Sequence, residues 1–176
     1  MKKFYVILIL SILFAGCGVE SGTAGDVTIE QAFSKLFQSD DFQSRITAIV
    51  LSSQFKKTKL SNVLSERLRK VDGIEKTAIL YALARNESDD YIGQFVNSIP
   101  GDEKGIKTLL DIESPRKSYF SSPSLRVISY LGSLAIHNDN AFAKLKAIGR
   151  LADGWQGDSI SVLAEDAEKW REKNKK

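Results

Sequence analysis

Cys17 is the only thiol and His137 the only imidazole among 176 residues. A single cysteine excludes an internal disulfide, and one Cys with one His excludes the ligand clusters of structural zinc. No metal and no cofactor are therefore expected. Nucleophilic catalysis of the Ser-His-Asp kind would have to run through His137. That residue stands where a helix is expected to end, and an imidazole there meets favourable carbonyl dipoles without any catalytic role. Gly-x-Ser-x-Gly, His-Glu-x-x-His and phosphate-loop patterns are absent from the sequence. Carboxylates are the remaining route to chemistry, with one Glu as general acid in cleaving a glycosidic bond. The acidic pairs Asp40/Asp41, Asp89/Asp90 and Asp102/Glu103 all fall at expected helix starts, however, where capping and the macrodipole account for them. The chain is read as a non-enzyme.

The start of the chain says where the protein goes. Lys2 and Lys3 precede an apolar run, Phe4 to Phe14, of 11 residues broken only by Ser11, and Ala15 and Gly16 stand directly before Cys17. Such a run is an export signal, since a membrane-spanning helix needs about 20 apolar residues. Phe14-Ala15-Gly16-Cys17 resembles the lipobox of bacterial lipoproteins, with Phe14 where Leu is usual. The resemblance implies removal of residues 1–16, attachment of diacylglycerol and palmitate at Cys17, and anchoring in the cell envelope. Gly18, rather than Asp, is similar to the outer-membrane class, with the body facing the periplasm. Residues 17–26 form a Gly/Ser/Thr tether able to reach on the order of 30 Å from the lipid, and 27–176 a single α-helical domain.

Loss of Lys2 and Lys3 changes the charge. Lys and Arg fall to 23 against 22 Asp and Glu, and five of the basic residues lie in the last nine positions. The body is near neutral, which speaks against nucleic acid as a partner.

From Thr28 onward the apolar spacing is helical. Ile29, Ala32, Phe33, Leu36 and Phe37 form one stripe behind a Thr28/Gln31 capping box. Asp40 is expected to cap a second helix carrying Phe42, Ile46, Ile49 and Val50, and a third follows with Leu60, Val63, Leu64, Leu68 and Val71. A fourth, 73–85, opened by Asp72 and Glu75, is apolar around most of its circumference and should be covered on several sides. Ser88 is placed to cap a fifth bearing Tyr91, Ile92, Phe95, Val96 and Ile99. Ile106, Leu109 and Leu110 mark a sixth, and Ser122-Pro123 start a seventh. Asp139 precedes an eighth, and Asp158 starts a ninth with Ile160, Leu163, Ala164, Ala167 and Trp170. No strand is expected.

A shift of 32 residues lays Phe42 on Ile74, Ile46 on Ala78, Ile49 on Tyr81, Val50 on Ala82, Leu60 on Ile92, Val63 on Phe95 and Leu64 on Val96. A shift of 50 carries Ala78 to Ile128, Tyr81 to Leu131, Ile92 to Phe142 and Phe95 to Leu145, but Ile74 to Ser124. With Asp41-Phe42-Gln43-Ser44-Arg45-Ile46 and Asp72-Gly73-Ile74-Glu75-Lys76-Thr77-Ala78 as loose repeat starts, residues 40–152 resemble HEAT-like α-helical repeats. The fold implied is all-α, a right-handed stack of antiparallel helix pairs forming a HEAT-like α-solenoid of about nine helices without a sheet.

Two segments are candidate binding surfaces. The connection 113–123 carries Arg116, Lys117, Tyr119 and Phe120, residue types common among interface anchors. The second is a basic face, Lys56, Lys57, Lys59, Arg67, Arg69 and Lys70, with Glu66 the one acid in fifteen positions. It suits anionic headgroups or an acidic partner. The expected function is that of a membrane-anchored lipoprotein whose body is a protein-binding scaffold, held to the bilayer through Cys17. The alternatives are an immunity or inhibitor lipoprotein against an envelope-targeted toxin, and a peptidoglycan-cleaving enzyme.

Overall fold

The computed structural model describes residues 28–55, 60–86, 89–112 and 122–174. Among these residues all regular structure is helical: α1 (Ile29–Phe37), α2 (Phe42–Ser52), α3 (Leu60–Leu68), α4 (Gly73–Asn86), α5 (Asp90–Ser98), α6 (Glu103–Leu110), α7 (Pro123–Ala135), α8 (Asp139–Leu151) and α9 (Gly154–Lys173).

Most helices start behind a side chain that can accept an orphan N–H. Thr28 and Gln31 exchange the two bonds of a capping box at 3.2 and 2.9 Å. Asp41, not Asp40, caps α2. Its extended backbone aims the carboxylate at the Ser44 N–H, 2.7 Å away, and hydrogen bonding from the Ser44 hydroxyl, then from its N–H, holds the Asp41 pKa below the usual carboxylate value. Asp102 caps α6 and Ser122 caps α7, with Pro123 in its first turn. Asn138, rather than Asp139, caps α8, because its carboxamide oxygen is three residues before the Ala141 N–H it accepts. The Ser88 cap falls outside the described residues, and Asp89, in the cap position of α5, makes no side-chain cap bond.

Helix α9 begins four residues ahead of the expected Asp158. Gly154 has φ +52°, a left-handed conformation that costs glycine little. At Gly157 a Cβ would stand 2.8 Å from the Ala152 carbonyl oxygen, since the first turn of α9 folds back on the end of α8. Gly157→Ala is therefore expected to lower stability by about 1–3 kcal/mol, against an Ala helix advantage of about 1 kcal/mol. Thermal melting measures the difference, and an unchanged or raised Tm would mean that this turn opens freely.

The helices stack around one continuous apolar core. Helix α4 packs against α2, α3, α5 and α6, and Ile74 with every residue from Thr77 to Leu83 is buried. It is the covered central helix that its all-round apolar pattern predicts. Tyr81 reaches further, its ring 6.1 Å from Phe95 in α5 and 5.7 Å from Tyr130 in α7. Helices α7, α8 and α9 pack against one another, and α2 touches α7. Helix α1 lies on α2 and α3.

Helix starts and burial correspond in part across the two shifts. A shift of 50 carries the start of α4 to that of α7, and the start of α5 to within one residue of that of α8. Ile74 and Ser124, Ala78 and Ile128, Tyr81 and Leu131, and Phe95 and Leu145 are buried as pairs, while Ile92 and Phe142 are both half-buried. The shift of 32 matches less well. Ile46, Ile49, Val50 and Leu64 are buried like their counterparts, but Phe42 and Val63 are more than a third exposed where Ile74 and Phe95 are buried.

One buried charge ties three helices together. Glu75, in the first turn of α4, accepts from Arg45 Nε of α2 at 3.0 Å and from Arg67 Nε of α3 at 2.5 Å. Arg45 also donates through Nη1 to the Ser39 carbonyl and lies 5.7 Å from the Phe42 ring centroid. The residue read as a helix opener thus joins α2 and α3 to the central helix.

Candidate functional site

Several sequence-predicted site residues lie outside the described residues: Cys17, Lys56, Lys57, Lys59, Arg116, Lys117, Tyr119 and Phe120. The rest of the basic segment divides. Arg69 and Lys70 are exposed after α3, whereas Arg67 turns inward to Glu75. The structure therefore does not place Arg67 with the other two on a solvated basic face.

Three carboxylates of the acidic pairs have local partners. Asp41 and Asp102 accept the Ser44 and Gly105 N–H groups, and Glu103 pairs with Lys107 one turn on at 2.6 Å. His137 meets the Trp170 ring edge-on, with centroids 4.5 Å apart. No group of three or more His, Cys, Asp or Glu able to hold a metal occurs among the described residues. None of their helices is long and apolar enough to cross a membrane.

A groove of about 310 Å³ runs between the outer faces of α4 and α7, lined by Tyr81, Arg85, Leu125, Arg126, Ser129, Tyr130 and Ser133. Tyr81 packs on Tyr130 across the gap between the two helices, and the next turn of each helix then carries polar side chains. Arg85 sits 5.5 Å from the Tyr130 ring centroid, a cation–π distance. The Tyr130 hydroxyl donates to the Ala84 carbonyl at 3.4 Å, and burial pushes this phenol's pKa up. It stays protonated at neutral pH and can donate or accept a hydrogen bond, but it is not a general base. An arginine, hydroxyls and an aromatic floor suit recognition of acidic or carbonyl-rich groups. Helix α7, which forms one wall, begins directly after the 113–121 connection, so the groove is next in sequence to the Arg116 to Phe120 candidates.

Sequence reasoning missed this groove. Tyr81 read simply as an apolar core position and Tyr130 was not singled out, and the two meet only where side chains of α4 and α7 reach each other. The shift of 50, which lays Tyr81 on Leu131, was the available signal. In comparisons with known proteins, no family model matches the chain, and neither a curated protein nor a solved structure matches it significantly.

Proposed function

We propose that the chain is a bacterial envelope lipoprotein, anchored through lipidated Cys17, whose HEAT-like helical body is a protein-binding scaffold. The observation that carries the reading is the 11-residue apolar run ending in Phe14-Ala15-Gly16-Cys17. Its length suits export and its small residues suit cleavage before a cysteine. For the body, support comes from stacked helices with an arginine- and tyrosine-lined groove on their outer face. A stack of this kind offers an extended, rigid surface. Outer-membrane attachment facing the periplasm follows from Gly18 in the resemblance.

Cys17→Ser tests the anchor. Wild-type chain should incorporate labelled palmitate and fractionate with membranes in high salt, and the variant should do neither. Membrane retention of the unlabelled variant would overturn the lipoprotein assignment. The scaffold role is tested by capture from solubilised envelope with the lipidated chain. Arg85→Glu, an exposed change on the groove rim, should release the captured protein while lowering the melting temperature by only about a few degrees, through the lost contact with the Tyr130 ring.

A further inference from the structure

Among the described residues, the large apolar side chains more than a third exposed are Phe42, Val63, Trp155, Val162 and Trp170. The last three share α9. This helix buries Gly157, Ile160 and Ala167 against α7 and α8, its main packing partners, and so it closes one end of the stack. A terminal helix of a stack ordinarily presents a polar outer face. Here Trp155 is 41%, Trp170 40% and Val162 57% exposed. At roughly 100° per residue, Trp155 and Val162 project along one line, with Trp170 on its flank.

The spacing is close to a palindrome. Trp155 stands seven residues before Val162 and Trp170 eight after it, about 10 and 12 Å along the axis. We propose that α9 is a self-association surface through which two copies of this chain pair antiparallel about a twofold axis close to Val162. An isologous contact requires one patch to complement itself, and this spacing sets Val162 against Val162, with Trp155 on the same line and Trp170, about 80° round from Val162, covering the flank of the contact.

Charge follows the same order. Asp158 lies in the first half of the exposed face, and Lys169 and Lys173 lie near its end. Antiparallel pairing brings Asp158 to Lys169 of the second copy. Lys169 already meets Glu165 at 3.5 Å, but both side chains are about two-thirds exposed, and such a pair exchanges at little cost. Asp166 then falls near Ser159 of the second copy. A lipid surface fits this face less well, because a helix lying on a membrane flanks its apolar line with Lys and Arg, and Asp158, Glu165 and Asp166 flank this one. One helix face per copy is a small contact, so the dimer is weak and concentration-dependent. The inference does not rest on lipid at Cys17.

The test uses the full chain in density-matched detergent. Sedimentation equilibrium over a range of protein concentrations should show monomer and dimer in exchange. Val162→Glu should raise the dissociation constant about tenfold or more while helical content and melting temperature stay unchanged. A second variant, Val162→Cys, reports the axis. Mild oxidation should form the 162–162 disulfide, identified by peptide mapping, at least about tenfold faster than the corresponding bond in Ser161→Cys, since only residues near the axis come within disulfide reach. A monomer at every concentration overturns the proposal, including the case in which α9 instead captures a different protein. Equal oxidation rates at 161 and 162 also overturn it, as does a dimer that survives Val162→Glu.

Discussion

Leu80→Asp is expected to leave no folded body at room temperature. Leu80 is 2% exposed in the middle of α4, and α2, α3, α5 and α6 cover that helix. The new carboxylate has no solvent-facing side to rotate toward. Stranding an unpaired charge in such a site costs more than about 4 kcal/mol, much of the roughly 5–15 kcal/mol that holds a typical domain together. Tyr81→Asp should do the same, since Tyr81 also joins α5 and α7 through Phe95 and Tyr130. Leu80→Ala should fall between, losing about 2–5 kcal/mol through the cavity it leaves. Lys76→Asp is the control: its side chain is exposed, and an acid near a helix N-terminus is not unfavourable. Asn86 does not serve as a control, because its amide donates to the Ser52 carbonyl at 3.5 Å and its Oδ1 is buried. Circular dichroism and urea melts decide the order. Cooperative, near-wild-type unfolding of Leu80→Asp would mean that α4 is not the centre of the stack.

That centrality was legible in the sequence because a helix apolar on every side can only be covered on every side. Helix number and order were legible too, since apolar spacing and caps are local features. What failed was each feature that depends on a distant neighbour. Phe42 and Val63 fit their stripes yet stay exposed, because a stripe fixes a face and not how far the adjoining helix extends over it. Trp170 was assigned to the buried stripe of the last helix, but it lies roughly 80° round from Ile160, at the edge of the covered arc. Gly154 and Gly157 precede the helix start expected at Asp158, whereas one supplies a left-handed start and the other a close approach to Ala152. The groove needed Tyr81 of α4 to meet Tyr130 of α7. Glu75 shows the limit most clearly: an acid in a first turn has a sufficient local explanation, and nothing in the sequence pointed beyond it to two arginines 30 and 8 residues away.

Those arginines make Glu75 the second position of large effect. Its side chain is 10% exposed, against 17% for Arg45 and 27% for Arg67. Glu75→Ala leaves two guanidiniums facing each other without a counter-charge, each too enclosed to regain full hydration. Removing one partner of a fully buried pair costs about 3–5 kcal/mol, and the partial exposure of both arginines brings the expected loss to about 2–4 kcal/mol. The exposed Glu103–Lys107 pair sets the contrast. With both side chains more than half exposed, Lys107→Ala should cost well under about 1 kcal/mol. Salt separates the two, since screening acts mainly between exposed charges: the Glu75→Ala deficit should persist in high salt. A combined Arg45→Met, Arg67→Met, Glu75→Leu variant removes the charges together and fills their volume. It should recover most of the loss, because an apolar replacement of a buried ion cluster is often neutral or stabilising. The recovery will be incomplete to the extent that Arg45 also holds the Ser39 carbonyl between α1 and α2. If Glu75→Ala melts like wild type, the three charges do not bind α2 and α3 to α4. If the triple variant is less stable than Glu75→Ala, the cluster contributes net attraction rather than only compensating its own burial.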